Sequence, residues 1–197
     1  MPRIVPISLR LVLFCALAAA LSACAGGRAP GGGGGGPRYA GLSCAPFARE
    51  LSGIALYGDA AGWWDAAAGR YKRDDRPMVG GVLVFRPSGR LPEGHVSVVS
   101  RVMGARQILV MQANWLPEEL DQDQLVVDVS PDNDWTAVRV WYPPVNQLGS
   151  FTYATYGFIL PPRPASYAEL VRAVRPAAYY AVNGGGRQAP RARLVGG

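Results

Sequence analysis

Cys44 stands where an apolar periodicity of helical type begins. Phe47, Leu51, Ile54 and Ala55 recur at i, i+4, i+7 and i+8, which is one buried face of a helix, and Arg49, Glu50 and Ser52 fall elsewhere on the wheel. Pro46 suits the first turn, where its missing N–H would have had no partner, and Gly58 marks a stop. A thiol at such a helix N-terminus meets unpaired amides and the positive end of the dipole. Both favour thiolate and are expected to lower its pKa. His95, the one histidine of the chain, follows Gly94 in a segment from Glu93 to Val99. Alternation there puts His95 and Ser97 on one strand face, Val96 and Val98 on the other. Gln107 to Trp115 alternates too, so Gln112 and Asn114 share a face. By itself a lone histidine reads as a structural or surface residue. Together, a thiol, an imidazole and a polar side chain to orient that imidazole are the parts of a cysteine acyl-transfer site.

The elements that must position these groups follow from the rest of the pattern. Asp59 is a good N-cap for a second helix ending near Gly69. It carries Trp63 and Trp64, which either pack in the core or line a substrate groove beside Cys44. Arg70 to Pro77 is charged and turn-rich, hence a loop. Strands are predicted at Gly81–Phe85, Glu93–Val99, Gln107–Trp115, Leu125–Val129, Thr136–Trp141 and Tyr156–Ile159, with a turn at Ser130–Asp134. Pro161, Pro162 and Pro164 then end the regular domain. One weak helix over Ala168–Val174 and a disordered Gly- and Arg-rich end from Gly184 to Gly197 complete the chain.

The front of the chain has another purpose. Arg3 and Arg10 flank the start of an apolar run, Leu11 to Leu21, too short for a span of about 20 residues and shaped like an export signal. It ends in Leu21-Ser22-Ala23-Cys24, which resembles the lipobox of bacterial lipoproteins and implies lipidation of Cys24 after cleavage. Cys15 then leaves with the signal and Cys44 is the free thiol that stays. Ala25 to Arg38, with six consecutive glycines, reads as a flexible tether of about 14 residues and roughly 20 Å root-mean-square span. Nothing after Cys24 signals inner-membrane retention, so an outer-membrane anchor is expected where a cell has that membrane.

Composition bounds the function classes. Hydrophobic residues make up 49% of the 197, enough for one cored domain with appendages. The formal charge of +6 falls to +4 when Arg3 and Arg10 are removed, a mild basicity that suits an anionic envelope. No interleaving of aromatic and basic residues suggests nucleic acid. No metal or cofactor is expected: one histidine cannot build a zinc cluster, and Asp121-Gln122-Asp123 lacks the glycine and distal glutamate of a calcium loop.

In motif order, Cys44 opening a helix, Gly58-Asp59-Ala60 then Trp63, the Pro77–Phe85 strand, Gly94-His95-Val96 and Ala113-Asn114-Trp115 resemble the CHAP family of cysteine, histidine-dependent amidohydrolases/peptidases. The resemblance covers about Tyr39 to Trp115. It implies an α+β papain-like fold, an N-terminal nucleophile helix on an antiparallel β-sheet of about six strands, and cleavage of amide bonds in peptidoglycan. Position by position, Cys44 matches the nucleophile, His95 the general base, and Gln112 and Asn114 two polar positions of which either could orient the imidazole. Many members carry an acidic residue where Gln112 stands, and a neutral amide contributes less charge stabilisation. The expected organisation is a signal peptide (1–23), lipidated cysteine and tether (24–38), catalytic domain (39–160) and a mostly disordered tail (161–197). A lipid-anchored binding module that kept the fold and lost turnover is the alternative that Gln112 favours.

Overall fold

The computed structural model describes residues 40–183. The expected signal peptide, Cys24, the whole tether and residues 184–197 of the tail lie outside the described residues. Eight antiparallel strands form the sheet: β1 (Lys72–Asp74), β2 (Val82–Phe85), β3 (His95–Gly104), β4 (Gln107–Ala113), β5 (Leu120–Asp128), β6 (Ala137–Tyr142), β7 (Gln147–Leu148) and β8 (Tyr153–Leu160). Their order is β1-β8-β2-β3-β4-β5-β6-β7, and β8 pairs with β6 as well as with β2. Strands β2 to β6 and β8 therefore close on themselves as a barrel, which removes the sheet edges that would otherwise need covering.

These six strands overlap the six predicted from the sequence, and the fold is α+β as expected. The two short strands are additions. β1 falls in the charged stretch expected as a loop: it has no hydrophobic pattern of its own and is held by pairing with β8, Lys72 opposite Leu160 and Asp74 opposite Phe158.

Among the described residues three α-helices accompany the sheet: α1 (Cys44–Ser52), α2 (Trp63–Ala66), entered through a 3-10 turn at Ala60–Gly62, and α3 (Tyr167–Asn183). α1 ends sooner than the apolar periodicity suggests. Gly53 takes φ 73°, a left-handed conformation that glycine adopts without a Cβ clash, and its N–H bonds the Arg49 carbonyl at 2.9 Å. Ile54 enters the core from beyond the helix. The second predicted helix is shorter too, and Asp59 makes no side-chain cap.

Strand alternation divides the apolar residues between two cores. Val82, Val84, Val96, Val98, Met111 and Ala113 face the helices and pack with Phe47, Ala48 and Leu51 of α1. Leu83, Phe85, Val99, Ile108, Val110 and Phe158 fill the barrel. In the β2–β3 register Phe85 lies opposite His95 and Leu83 opposite Ser97, so both polar residues share the barrel-interior face.

Residues 161–197 were expected as a mostly disordered tail with one weak helix over Ala168–Val174. The described part corrects this. α3 is 17 residues long, and Leu170, Val174, Ala177, Ala178 and Ala181 join the same core as α1. A capping box opens it: the Ser166 N–H donates to Glu169 Oε2 at 2.7 Å, and the Glu169 N–H to Ser166 Oγ at 3.2 Å. Tyr167 Oη donates to Asp123 Oδ2 of β5 at 2.6 Å. Pro176, which argues against a helix locally, is carried on the exposed side with Arg175, while Ala177 and Ala178 after it are buried.

Because α3 is part of the core, Leu170→Ala should cost about 3 kcal/mol of unfolding free energy. Denaturant unfolding of the wild type and variant checks this; equal midpoints would mean that α3 contributes no core.

Candidate active site

Cys44 is the first residue of α1, and Ser43 before it makes no side-chain cap. The amides at the start of the helix are thus left open, and those of Cys44 and Ala45 face the sulfur together with the Val96 amide of β3. His95 is the first residue of β3. Both side chains line one pocket of about 790 Å³, with Arg49, Tyr57, Arg90, Glu93 and Trp115 among the other walls. The thiol and the imidazole singled out from the sequence therefore border one cavity, although about fifty residues separate them in the chain. The hydrogen bonds among the described residues do not include one between them, a looseness common in unliganded sites.

The imidazole is enclosed. His95 is 3% exposed, with Phe85 edge-on at 5.6 Å and Trp115 edge-on at 5.2 Å between ring centroids. Its Nε2 lies 3.0 Å from Gln112 Oε1. Burial disfavours the charged ring and lowers its pKa from 6.5 to about 4, against a smaller opposing effect of the Gln112 hydrogen bond. At neutral pH the ring is neutral.

The thiol departs from the expectation of a depressed pKa. Burial raises it, the amides of Val96, Ala45 and Cys44 oppose that rise, and the Glu93 charge adds to it. Helix-terminal amides are present as the sequence suggested, but desolvation of a thiolate outweighs them, and the neutral imidazole offers no countercharge. The resting pair is thiol and imidazole, not thiolate and imidazolium.

Gln112 and Asn114, both candidates for orienting the ring, are separated by the structure. Gln112 is wholly buried on β4 and makes the bond to His95. Asn114 lies just past β4 with φ 61°; its Oδ1 accepts from the Glu118 N–H at 2.9 Å and its own N–H donates to the Glu119 carbonyl at 2.7 Å. It shapes the turn into β5 and borders the pocket without bonding the histidine. Trp63 and Trp64, considered as groove residues, are corrected: neither lines the pocket. Trp63 is fully buried with its indole N–H directed at the Gly58 carbonyl, and Trp64 stacks on Tyr156 at 5.6 Å with the Arg73 guanidinium over its ring.

Two polar residues behind Gln112 escaped the sequence reading. Ser97 Oγ donates to Gln112 Oε1, and Gln112 Nε2 donates to Gln124 Oε1. Alternation had placed Ser97 beside His95, which was the available signal; Gln124 sits in a polar run of β5 where nothing singles it out. Trp115, quoted above only as the end of a motif, proves to be a wall of the pocket and a packing partner of the imidazole. Among the described residues no group of three or more His, Cys, Asp or Glu side chains is placed to hold a metal ion.

Comparison with protein families agrees with this fold. Residues 33–114 match the family model described as the CHAP domain, a stretch that contains Cys44, His95, Gln112 and Asn114. No curated protein and no solved structure gives a significant match.

Since His95 is the single histidine, its titration can be followed without assignment. The ring C–H resonances should titrate near pH 4, the ring staying neutral above that value. The sign for stability follows: between about 6.5 and about 4 the unfolded chain takes up a proton that the folded chain refuses, so stability falls as pH drops through that window. A midpoint near 6.5 by proton NMR would contradict the buried, neutral ring.

Proposed function

We propose that this CHAP domain is a cysteine amidohydrolase/endopeptidase that cleaves amide bonds of peptidoglycan, with Cys44 as nucleophile and His95 as general base. The observation that carries the reading is the convergence of thiol and imidazole on one pocket, with Gln112 holding the ring's far nitrogen. Peptidoglycan-directed amidase or peptidase chemistry is what the family match brings; the assignment of roles to individual residues is the proposal.

The two raised barriers, a buried thiol and a buried imidazole, shape the mechanism. A pre-formed ion pair is disfavoured, so proton transfer accompanies attack. His95 Nδ1 takes the Cys44 proton as the sulfur bonds to the amide carbonyl carbon. The resulting oxyanion is stabilised by the open N–H of Cys44, with the Ala45 amide beside it. Collapse breaks the C–N bond, and the imidazolium gives its proton to the leaving amine. A water deprotonated by the same ring then hydrolyses the thioester, returning the neutral pair. Gln112 accepts the Nε2–H throughout. Lacking a carboxylate's charge, it stabilises the transient imidazolium less, which matches a site that rests neutral.

Arg49 and Arg90 stand on the pocket wall beside Asp59 and Glu93, a mixed-charge rim suited to a peptide carrying both carboxylate and amine groups. Lipidation at Cys24 and the glycine tether, read from the sequence, would hold the domain at a bacterial envelope membrane within reach of the wall. The raised thiol pKa is the observation that favours the second reading, a wall-binding module without turnover.

Purified sacculi decide between them. The mature domain should release soluble muropeptides, and Cys44→Ala and His95→Ala should each lower that rate by about 10³-fold or more while leaving the fold intact. Binding of sacculi without release, or an undiminished rate for Cys44→Ala, would reject the catalytic reading.

A further inference from the structure

The hydrogen bond from His95 does not end at Gln112. Gln112 Nε2 donates to Gln124 Oε1, and Gln124 Nε2 donates to the Trp141 carbonyl at 2.8 Å. Ser97 Oγ supplies a second donor to Gln112 Oε1. His95, Ser97 and Gln112 are 3%, 0% and 0% exposed and Gln124 5%, so no water competes for these bonds. The run thus passes from β3 through β4 and β5 to β6, across the barrel.

Its direction is not free. A backbone carbonyl can only accept, so Gln124 must turn its NH₂ toward Trp141 and its oxygen toward Gln112. That oxygen demands the Gln112 NH₂, which leaves the Gln112 oxygen for the imidazole. An oxygen there can only accept, so His95 must carry its proton on Nε2. Nδ1 is then left unprotonated, the state a base requires. A carboxylate in the place of Gln112 would accept from the ring whichever way it turned; an amide has two unlike ends and must be locked.

We propose that Gln124 and Ser97 are positioning residues that fix the amide of Gln112 oxygen-first toward His95, so that the Trp141 carbonyl sets the tautomer of the imidazole. Neither touches the pocket, and both act through Gln112. The proposal extends the catalytic reading, which needs Nδ1 as the base, but the tautomer itself is a property of the folded protein and is measurable without turnover.

The test is nitrogen-15 NMR of the single histidine at pH 7, where the ring is neutral. In the wild type the two ring shifts should report the Nε2–H form with the other form below about one part in a hundred. Gln124→Met removes both the acceptor for Gln112 and the donor to Trp141, freeing the amide to turn. The Nδ1–H form should then rise to roughly a tenth or more, as the loss of one buried hydrogen bond allows. Ser97→Ala should move the shifts the same way by less. Gln124→Glu is the conservative rescue: buried beside a carbonyl its carboxyl is protonated, donates to Trp141 and accepts from Gln112, and the wild-type shifts should return. A merely structural role would lower stability in Gln124→Met without changing the tautomer. Wild-type shifts in folded Gln124→Met and Ser97→Ala, or an Nδ1–H ring in the wild type, would overturn the proposal, whatever sacculus digestion shows.

Discussion

The bond between the His95 imidazole and the Gln112 amide is the constraint on which the site is built. Both groups lie inside a closed barrel where an unpaired polar atom is costly, so each must be satisfied by the other and by what stands behind it. Burial among Phe85 and Trp115 keeps the ring neutral, and an amide partner, unlike a carboxylate, does nothing to charge it. The thiol opposite is neutral for the same reason. In the proposed mechanism, one proton moves between these two neutral groups at the moment of bond formation.

The scaffold explains why the pair can meet. α1 packs on the outer face of the sheet through Phe47, Ala48 and Leu51, which fixes where its first residue lies. His95 begins its strand after Gly94, whose φ of 68° turns the chain in close quarters: a Cβ there would come within 3.0 Å of the Phe85 carbonyl and the Ala61 amide. α3 packs with α1 in the same core and is tied to β5 through Tyr167 and Asp123. The helix that opens with Cys44 therefore packs in one core with both the sheet and the C-terminal helix.

Much of this was legible in the sequence where the signal is local. Six strands were legible from apolar runs and turn residues, and in two of them period-two alternation put His95 with Ser97 and Gln112 with Asn114, because side-chain direction in a strand depends only on parity. The start of α1 was legible through Pro46 and the apolar spacing. Quantities set by tertiary packing were not. The thiol pKa depends on how much water the finished pocket admits, which no helix N-terminus announces. Trp63 and Trp64 carry no local mark that distinguishes core from groove. Gln124 matters only because β5 lies next to β4 in the right register, Val110 opposite Gln124 and Gln112 opposite Asp121, a pairing between segments that the spacing alone does not rank. α3 was underestimated because Pro176 argues against a helix locally, while the burial of Leu170, Val174 and the alanines in the core shared with α1 is what stabilises it.

The covalent step is the part of the account that everything else serves, and an acid-quench experiment addresses it directly. The protein is mixed with sacculus-derived peptides, stopped within the first turnover and digested for mass spectrometry. The account predicts an acyl group on the peptide that contains Cys44, lost on treatment with hydroxylamine as a thioester is. Product release with no such adduct on Cys44, or an adduct elsewhere, would contradict it.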